Sequence, residues 1–238
     1  MSKPLICYNL SYYSKTLKFI APCLVFIVWH FMIYSQTPIP IWGQYHLTAL
    51  TMFVLSNWIG TSLINCENRI QQYITRLHSK NETTYHLSKI IAVLLLMIPF
   101  YAIMIFHPIV FGFFVRSLSF TEVLAVITIH FLFSLMGVSV SVFFNADFHN
   151  KKSILPLQVL VMLIMVVPLA MIFEDNVFIR YAVKLLPPLN FFGERLHELD
   201  SGVFVMNGNF FVFVLYSLGY STALITIYVL LIKKINNH

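Results

Sequence analysis

Four histidines, His30, His46, His107 and His130, stand in or beside long apolar runs, where an ionisable side chain is a suspect for a proton or substrate path. Those runs hold no Asp or Glu to complete a relay, and a neutral imidazole is far cheaper in lipid than a carboxylate. Their expected work is therefore bonding between helices. Phe26-x-x-x-His30 matches one fragment of an intramembrane prenyl-endopeptidase pattern, but no Glu-Glu pair and no His-x-x-x-Asn accompany it. Cys7, Cys23 and Cys66 lie before, within and just after the first two runs, with no C-x-x-C among them, so no disulfide or metal site is expected. The chain has no G-x-x-x-x-G-K-[ST] loop to cradle nucleotide phosphates and no G-x-S-x-G elbow. It also has no H-E-x-x-H, since His197-Glu198 is followed by Leu199-Asp200. No catalytic residue and no bound cofactor or metal is expected in it.

The remaining informative residues lie between the runs. Ile70, Tyr73, Ile74 and Leu77 recur at helical spacing, with Glu67, Arg69, Arg76 and Lys80 around them. An apolar ridge with a charged rim suits a pocket on a partner, because buried anchors supply binding energy and rim charges set orientation. The polar Asn81-Glu82-Thr83-Thr84 ends this short helix, and Thr83 or Thr84 is the expected N-cap of the next one. A second such stretch, Asn176–Asp200, is too apolar for a free loop. It reads as two short interfacial or re-entrant helices divided by Pro187-Pro188.

The elements that hold these residues follow from composition. Apolar residues make up 59% of the 238 positions and charged residues 10%, against about 45–50% and about 25% in soluble domains. The mean hydropathy is +0.81. Six segments are long enough to span a hydrocarbon core: Leu17–Tyr34, Tyr45–Ile64, Ile90–Val115, Val123–Phe144, Ile154–Phe173 and Phe210–Ile232. Their continuous apolarity excludes the alternation of a barrel. Pro99 and Pro108 predict a kink or early exit in the third. The first starts too late and runs too long for a cleaved signal peptide. Small residues at four-residue spacing, Ser56 and Gly60, Gly137 and Ser141, Gly219 and Ala223, predict close helix contacts.

Eleven of the fifteen Lys and Arg fall in one set of alternating loops and at both termini; Arg116, Arg180, Lys184 and Arg195 fall in the other set. Both termini are therefore expected in the cytoplasm. The net charge of +6 is an orientation signal, with no nucleic-acid partner implied. The chain reads as one all-α polytopic domain, 1–238. It comprises a cytoplasmic interfacial segment (1–16), a cytoplasmic loop (65–89) and an outer helical segment (174–209) before the sixth span.

This layout resembles the type-2 permease subunits of bacterial ABC exporters. Glu67-Asn68-Arg69, Ser88-Lys89 at the entry to the third span, and Leu186-Pro187-Pro188-Leu189-Asn190 are similar to that family's landmarks, with Arg69-Ile70 where a Gly-Thr is usual. The resemblance covers nearly the whole chain. It implies a plasma-membrane transport subunit without enzymatic activity of its own, working as a pair with itself or a related permease. A separate cytoplasmic ABC ATPase would bind the ATP and Mg. The coupling helix would hold Glu67, Arg69, Ile70, Tyr73, Ile74, Arg76, Leu77 and Lys80. The small outer parts look most like permeases for bacteriocin, lantibiotic or cytolytic-peptide export, including self-immunity. The other readings are a secondary carrier or channel, and a membrane immunity protein acting without ATP.

Overall fold

The apolar runs fold as helices in a computed structural model that describes residues 3–79, 81–166, 186–189 and 208–236. In chain order they are α1 (Lys3–Lys15), α2 (Ile20–Ile33), α3 (Ile41–Ile64), α4 (Arg69–His78), α5 (Glu82–Val110), α6 (Phe120–Ser141, extended by a 3-10 turn, Val142–Phe144), α7 (Lys151–Val166) and α8 (Gly208–Asn236). Among the described residues, extended pairing is limited to one isolated bridge, Ile39 with Phe114. Helices α3, α5, α6 with its 3-10 turn, and α8 are long and apolar enough to cross a bilayer; α1 and α2 make a fifth candidate if their 78° bend lies within one span. Residues 167–173 of the expected fifth span, Lys80, Asn190, and all of the expected outer segment except 186–189 and 208–209 lie outside the described residues.

The helix ends differ from expectation for local reasons. The first expected span begins at Ile20, because Leu17 takes a left-handed backbone (φ 56°) that stops α1 and turns the chain. The remaining 14 residues of α2 reach only about 21 Å. Asn81, not Thr83 or Thr84, caps α5, its side chain accepting from Thr84 N at 2.7 Å. The helix that leads through Ser88-Lys89 into the third expected span thus starts at Glu82, two or three residues before the start those caps would give. It runs through Pro99 and Pro108 and exits at Val110, where Gly112 at φ 65° lets Phe113 N donate to Pro108 O at 3.0 Å. That is a glycine-dependent helix stop rather than a proline one.

The core is built on α3 and α6, whose membrane-length windows are both two-thirds buried. The small residues cross reciprocally: Gly60 faces Ser141, and Gly137 faces Ser56 and the Phe53 carbonyl. Among the described residues nothing lies within 4 Å of a Cβ added at Gly219, so there the third expected small pair makes no such contact. Polar groups join the same helices. Asn57 donates to Gly137 O at 3.1 Å, Gln158 of α7 donates to Asn57 Oδ1 at 2.6 Å, and His130 pairs with Thr48 at 3.0 Å. His30 of α2 meets His107 of α5 at 3.2 Å and the Met104 sulfur at 3.3 Å. His46 stands edge-on to Phe133. By contrast α2, α7 and α8 leave long rows of Leu, Val, Ile and Phe exposed, as lipid-facing helices do.

The helices gather into two ends. At one end Tyr34 and Tyr45 reach the Met104 and Ile105 carbonyls, and Ile39 pairs with Phe113. The other end brings together Tyr8, Asn9, Glu67, Ser88, Asn145 and Tyr228. Helices α1 and α4 and the ends of α5, α7 and α8 that meet here carry Lys3, Lys15, Arg69, Arg76, Lys89, Lys151, Lys152, Lys233 and Lys234, most of the chain's Lys and Arg.

Candidate functional site

Glu67 organises the Lys-rich end. It follows α3 by three residues and is 3% exposed, against a Lys89 that is 2% exposed. The Lys89 ammonium lies 2.7 Å from Glu67 Oε2 and the Tyr85 hydroxyl donates to the same oxygen at 2.6 Å. Tyr8 of α1 donates to Oε1 at 3.0 Å, and Thr75 of α4 lies 3.2 Å from it. Lys89 also donates to the Ile64 carbonyl and sits over the Tyr85 ring. Burial raises the Glu67 carboxyl pKa, but the Lys89 charge and the Lys89, Tyr85 and Tyr8 hydrogen bonds outweigh it, leaving the group below its ordinary 4.5. A carboxylate with this many donors can stay ionised out of water, whereas losing one partner of such a pair strands the other. Glu67 therefore holds α1, α4 and α5 together. It lies beneath the ridge and not on its rim, where the sequence reading had placed it, because α4 turns its polar side inward.

That inversion defines the site. Asn68 caps α4 by accepting from Gln71 N at 2.8 Å. Gln71 then donates to the Tyr8 hydroxyl at 2.9 Å, and Thr75 is buried against the Glu67 cluster. Helices on soluble proteins put their apolar face inward; α4 puts Gln71, Thr75 and Arg76 there instead. Its apolar residues are left outside: Ile70, Tyr73, Ile74 and Leu77 are 75%, 66%, 43% and 65% exposed. The ridge spans Arg69–His78, ten residues, or about 15 Å of helix. Exposed Arg69 starts it and exposed His78 ends it.

The far end of α4 is fastened separately. Arg76 Nη2 lies 2.7 Å from Asp147 Oδ2 in the turn between α6 and α7, and its guanidinium covers the Tyr85 ring. Burial lowers the Arg76 pKa and Asp147 more than reverses this, so the charge is held firmly. Asn145 shapes that turn, its Oδ1 accepting from Asp147 N at 3.1 Å. Its Nδ2 lies 3.3 Å from Asp147 Oδ2 and 3.1 Å from the Tyr228 hydroxyl of α8. Tyr228 in turn lies 2.8 Å from His86 Nδ1 of α5. Asn65 ties the turn to α3 by donating to Phe144 O and accepting from Ala146 N.

The structure thus brings together seven of the eight sequence-selected residues on or under one helix, with Lys80 outside the described residues. It adds Tyr8, Tyr85, Lys89, Asn145, Asp147 and Tyr228, which sequence reasoning missed as site residues. Lys89, a charge placed directly before the apolar run of α5, was the one readable signal. Among the described residues no group of three His, Cys, Asp or Glu is placed to hold a metal. No protein-family model, no curated protein and no solved structure matches the chain. The geometry is an exposed apolar ridge on a helix fastened through its polar side.

Proposed function

We propose that the chain is the membrane-spanning permease subunit of an ATP-driven ABC exporter, with α4 as the coupling helix that docks a separate cytoplasmic ATPase. Six spans, cytoplasmic termini and a bacterial plasma-membrane location belong to this reading, as does pairing with a second permease. The cargo class it favours is a peptide or another amphipathic molecule moved out of the cell.

One observation carries the proposal: an apolar ridge exposed at the Lys-rich end of the bundle, on a helix whose polar side is fixed to three other elements. An exposed row of this kind marks an interaction surface, and an apolar helix face fits a groove on a protein. The rigid mount supports a mechanical role, because force on a loosely held helix would be lost in its own motion. The sequence holds no P-loop, which fits a reading in which a separate subunit binds the nucleotide.

The test is Tyr73→Ala. Association with the ATPase that co-purifies with the wild-type chain should fall at least tenfold, with abundance and thermal stability of the permease near normal, because Tyr73 touches little within the chain. Unchanged co-purification per folded molecule, together with release of the variant's α4 from bilayers, would assign the ridge to the lipid surface instead.

A further inference from the structure

We infer that Tyr228 on the last helix is a positioning residue for the α4 ridge, acting through Asn145 and Asp147 on Arg76. Its role in docking rests on the function proposed above; the linkage itself does not.

The path is continuous and mostly buried. The Tyr228 hydroxyl accepts from Asn145 Nδ2 at 3.1 Å and donates to His86 Nδ1 at 2.8 Å. With Nδ1 accepting, the His86 proton sits on Nε2, 3.9 Å from Glu82 Oε2. The same Asn145 amide nitrogen lies 3.3 Å from Asp147 Oδ2, the oxygen that takes Arg76 at 2.7 Å. Asn145, His86 and Tyr228 are all buried. A hydroxyl here costs desolvation that a phenylalanine ring would avoid, since the ring already packs against His86 and Phe148. What the hydroxyl supplies is direction: it fixes the Asn145 amide, and Asn145 fixes the carboxylate that holds the last turn of α4.

The packing of α8 gives this linkage a mechanical meaning. Phe210, Phe213, Ser217, Ser221, Tyr228 and Ile232 form its buried stripe, and only 22% of its membrane-length window is buried, against 67% for α3 and α6. The last helix is therefore the described span least constrained by the core, and Tyr228 joins it to the mount of α4. A displacement of the ridge reaches α5 through Glu67 and reaches α8 through Arg76, Asp147, Asn145 and Tyr228.

Hydrogen exchange on the full chain in lipid nanodiscs tests this without any partner. Tyr228→Phe keeps the ring and removes the hydroxyl. Exchange at the α4 amides of Gln72–Ser79 should rise about tenfold, although both hydrogen bonds of the Tyr228 hydroxyl go to residues outside α4, while α3 and α6 stay unchanged. Asp147→Asn should raise the same amides, and the double variant should exceed neither single by more than about twofold, as members of one chain of bonds do. Tyr220→Phe, on the same helix but outside the path, should leave α4 unaffected. Unchanged α4 exchange in Tyr228→Phe, beside a clear rise in Asp147→Asn, would overturn the inference and leave Tyr228 as packing. Equal rises in every helix would overturn it too, because they report general destabilisation. Loss of ATPase association in none of these variants bears on the docking proposal alone, since exchange decides the linkage by itself.

Discussion

Glu67 is the residue on which most of the Lys-rich end depends, and its chemistry is open to direct test. Replacing it by Gln leaves the Lys89 ammonium buried beside a neutral amide, which costs about 3–5 kcal/mol when a buried pair loses one partner. Glu67→Gln should therefore lower the thermal midpoint in detergent by many degrees, and Glu67→Gln with Lys89→Met should recover most of the loss by removing the stranded charge. A double variant no more stable than the single would show that the pair contributes little. The same carboxylate predicts an acid limb. Its folded pKa lies below the ordinary 4.5, so the folded state favours the ionised form. That stabilisation is complete above the unfolded value and is lost as pH falls through the lowered folded value. Stability of the wild type should drop below about pH 4.5, and Glu67→Gln should flatten that part of the profile. An identical acid limb in both proteins would remove Glu67 from its cause.

Among the elements, the small residues separate contacts that exist from contacts that spacing merely allows. Gly137 meets Ser56 and a backbone carbonyl, and Gly219 meets nothing among the described residues. Gly137→Ala should force α3 and α6 apart at a cost of about 1–3 kcal/mol, whereas Gly219→Ala should be neutral or gain up to about 1 kcal/mol of helix propensity. Thermal melts of the two variants check this, and equal destabilisation would contradict the packing. The comparison also explains what could be read beforehand. Ile70, Tyr73, Ile74 and Leu77 were legible because helical periodicity is local, and so were the apolar runs that became α3, α5, α6 and α8. The inward face of α4 was not, because nothing in Glu67-Asn68-Arg69 reveals that Lys89 and Tyr8, 22 and 59 residues away, converge on one carboxylate. The start of α5 was misplaced for a related reason. Asn81 and Thr84 are both good caps by type, and only the geometry of the preceding turn selects Asn81. The stop at Gly112 hid behind two prolines that the helix tolerates.

For the whole molecule, the decisive quantity is the parity of crossings. Tyr8 and Asn9 of α1 reach Glu67 and Ser88, and Tyr228 near the end of α8 reaches Asn145 and His86, so both ends of the described chain lie at the same end of the bundle. An even number of crossings satisfies that arrangement. Helices α3, α5, α6 and α8 account for four; in the six-span reading proposed above, α2 and a span entered through α7 would be the other two. In that proposed reading the Lys and Arg bias assigns that end to the cytoplasm. Cys7 is an exposed native reporter on α1, and Asn236→Cys provides one at the other end. In a background with Cys23 and Cys66 replaced by Ala, a membrane-impermeant maleimide should label neither site in intact cells and both in inverted vesicles. A cysteine in place of exposed Ser117, between α5 and α6, should show the reverse pattern. Labelling of Cys7 and position 236 on opposite sides would make the number of crossings odd and remove either α2 or the α7 segment as a span. Labelling of both from outside would keep the bundle but turn the ridge away from the cytoplasm, where no ATPase could reach it.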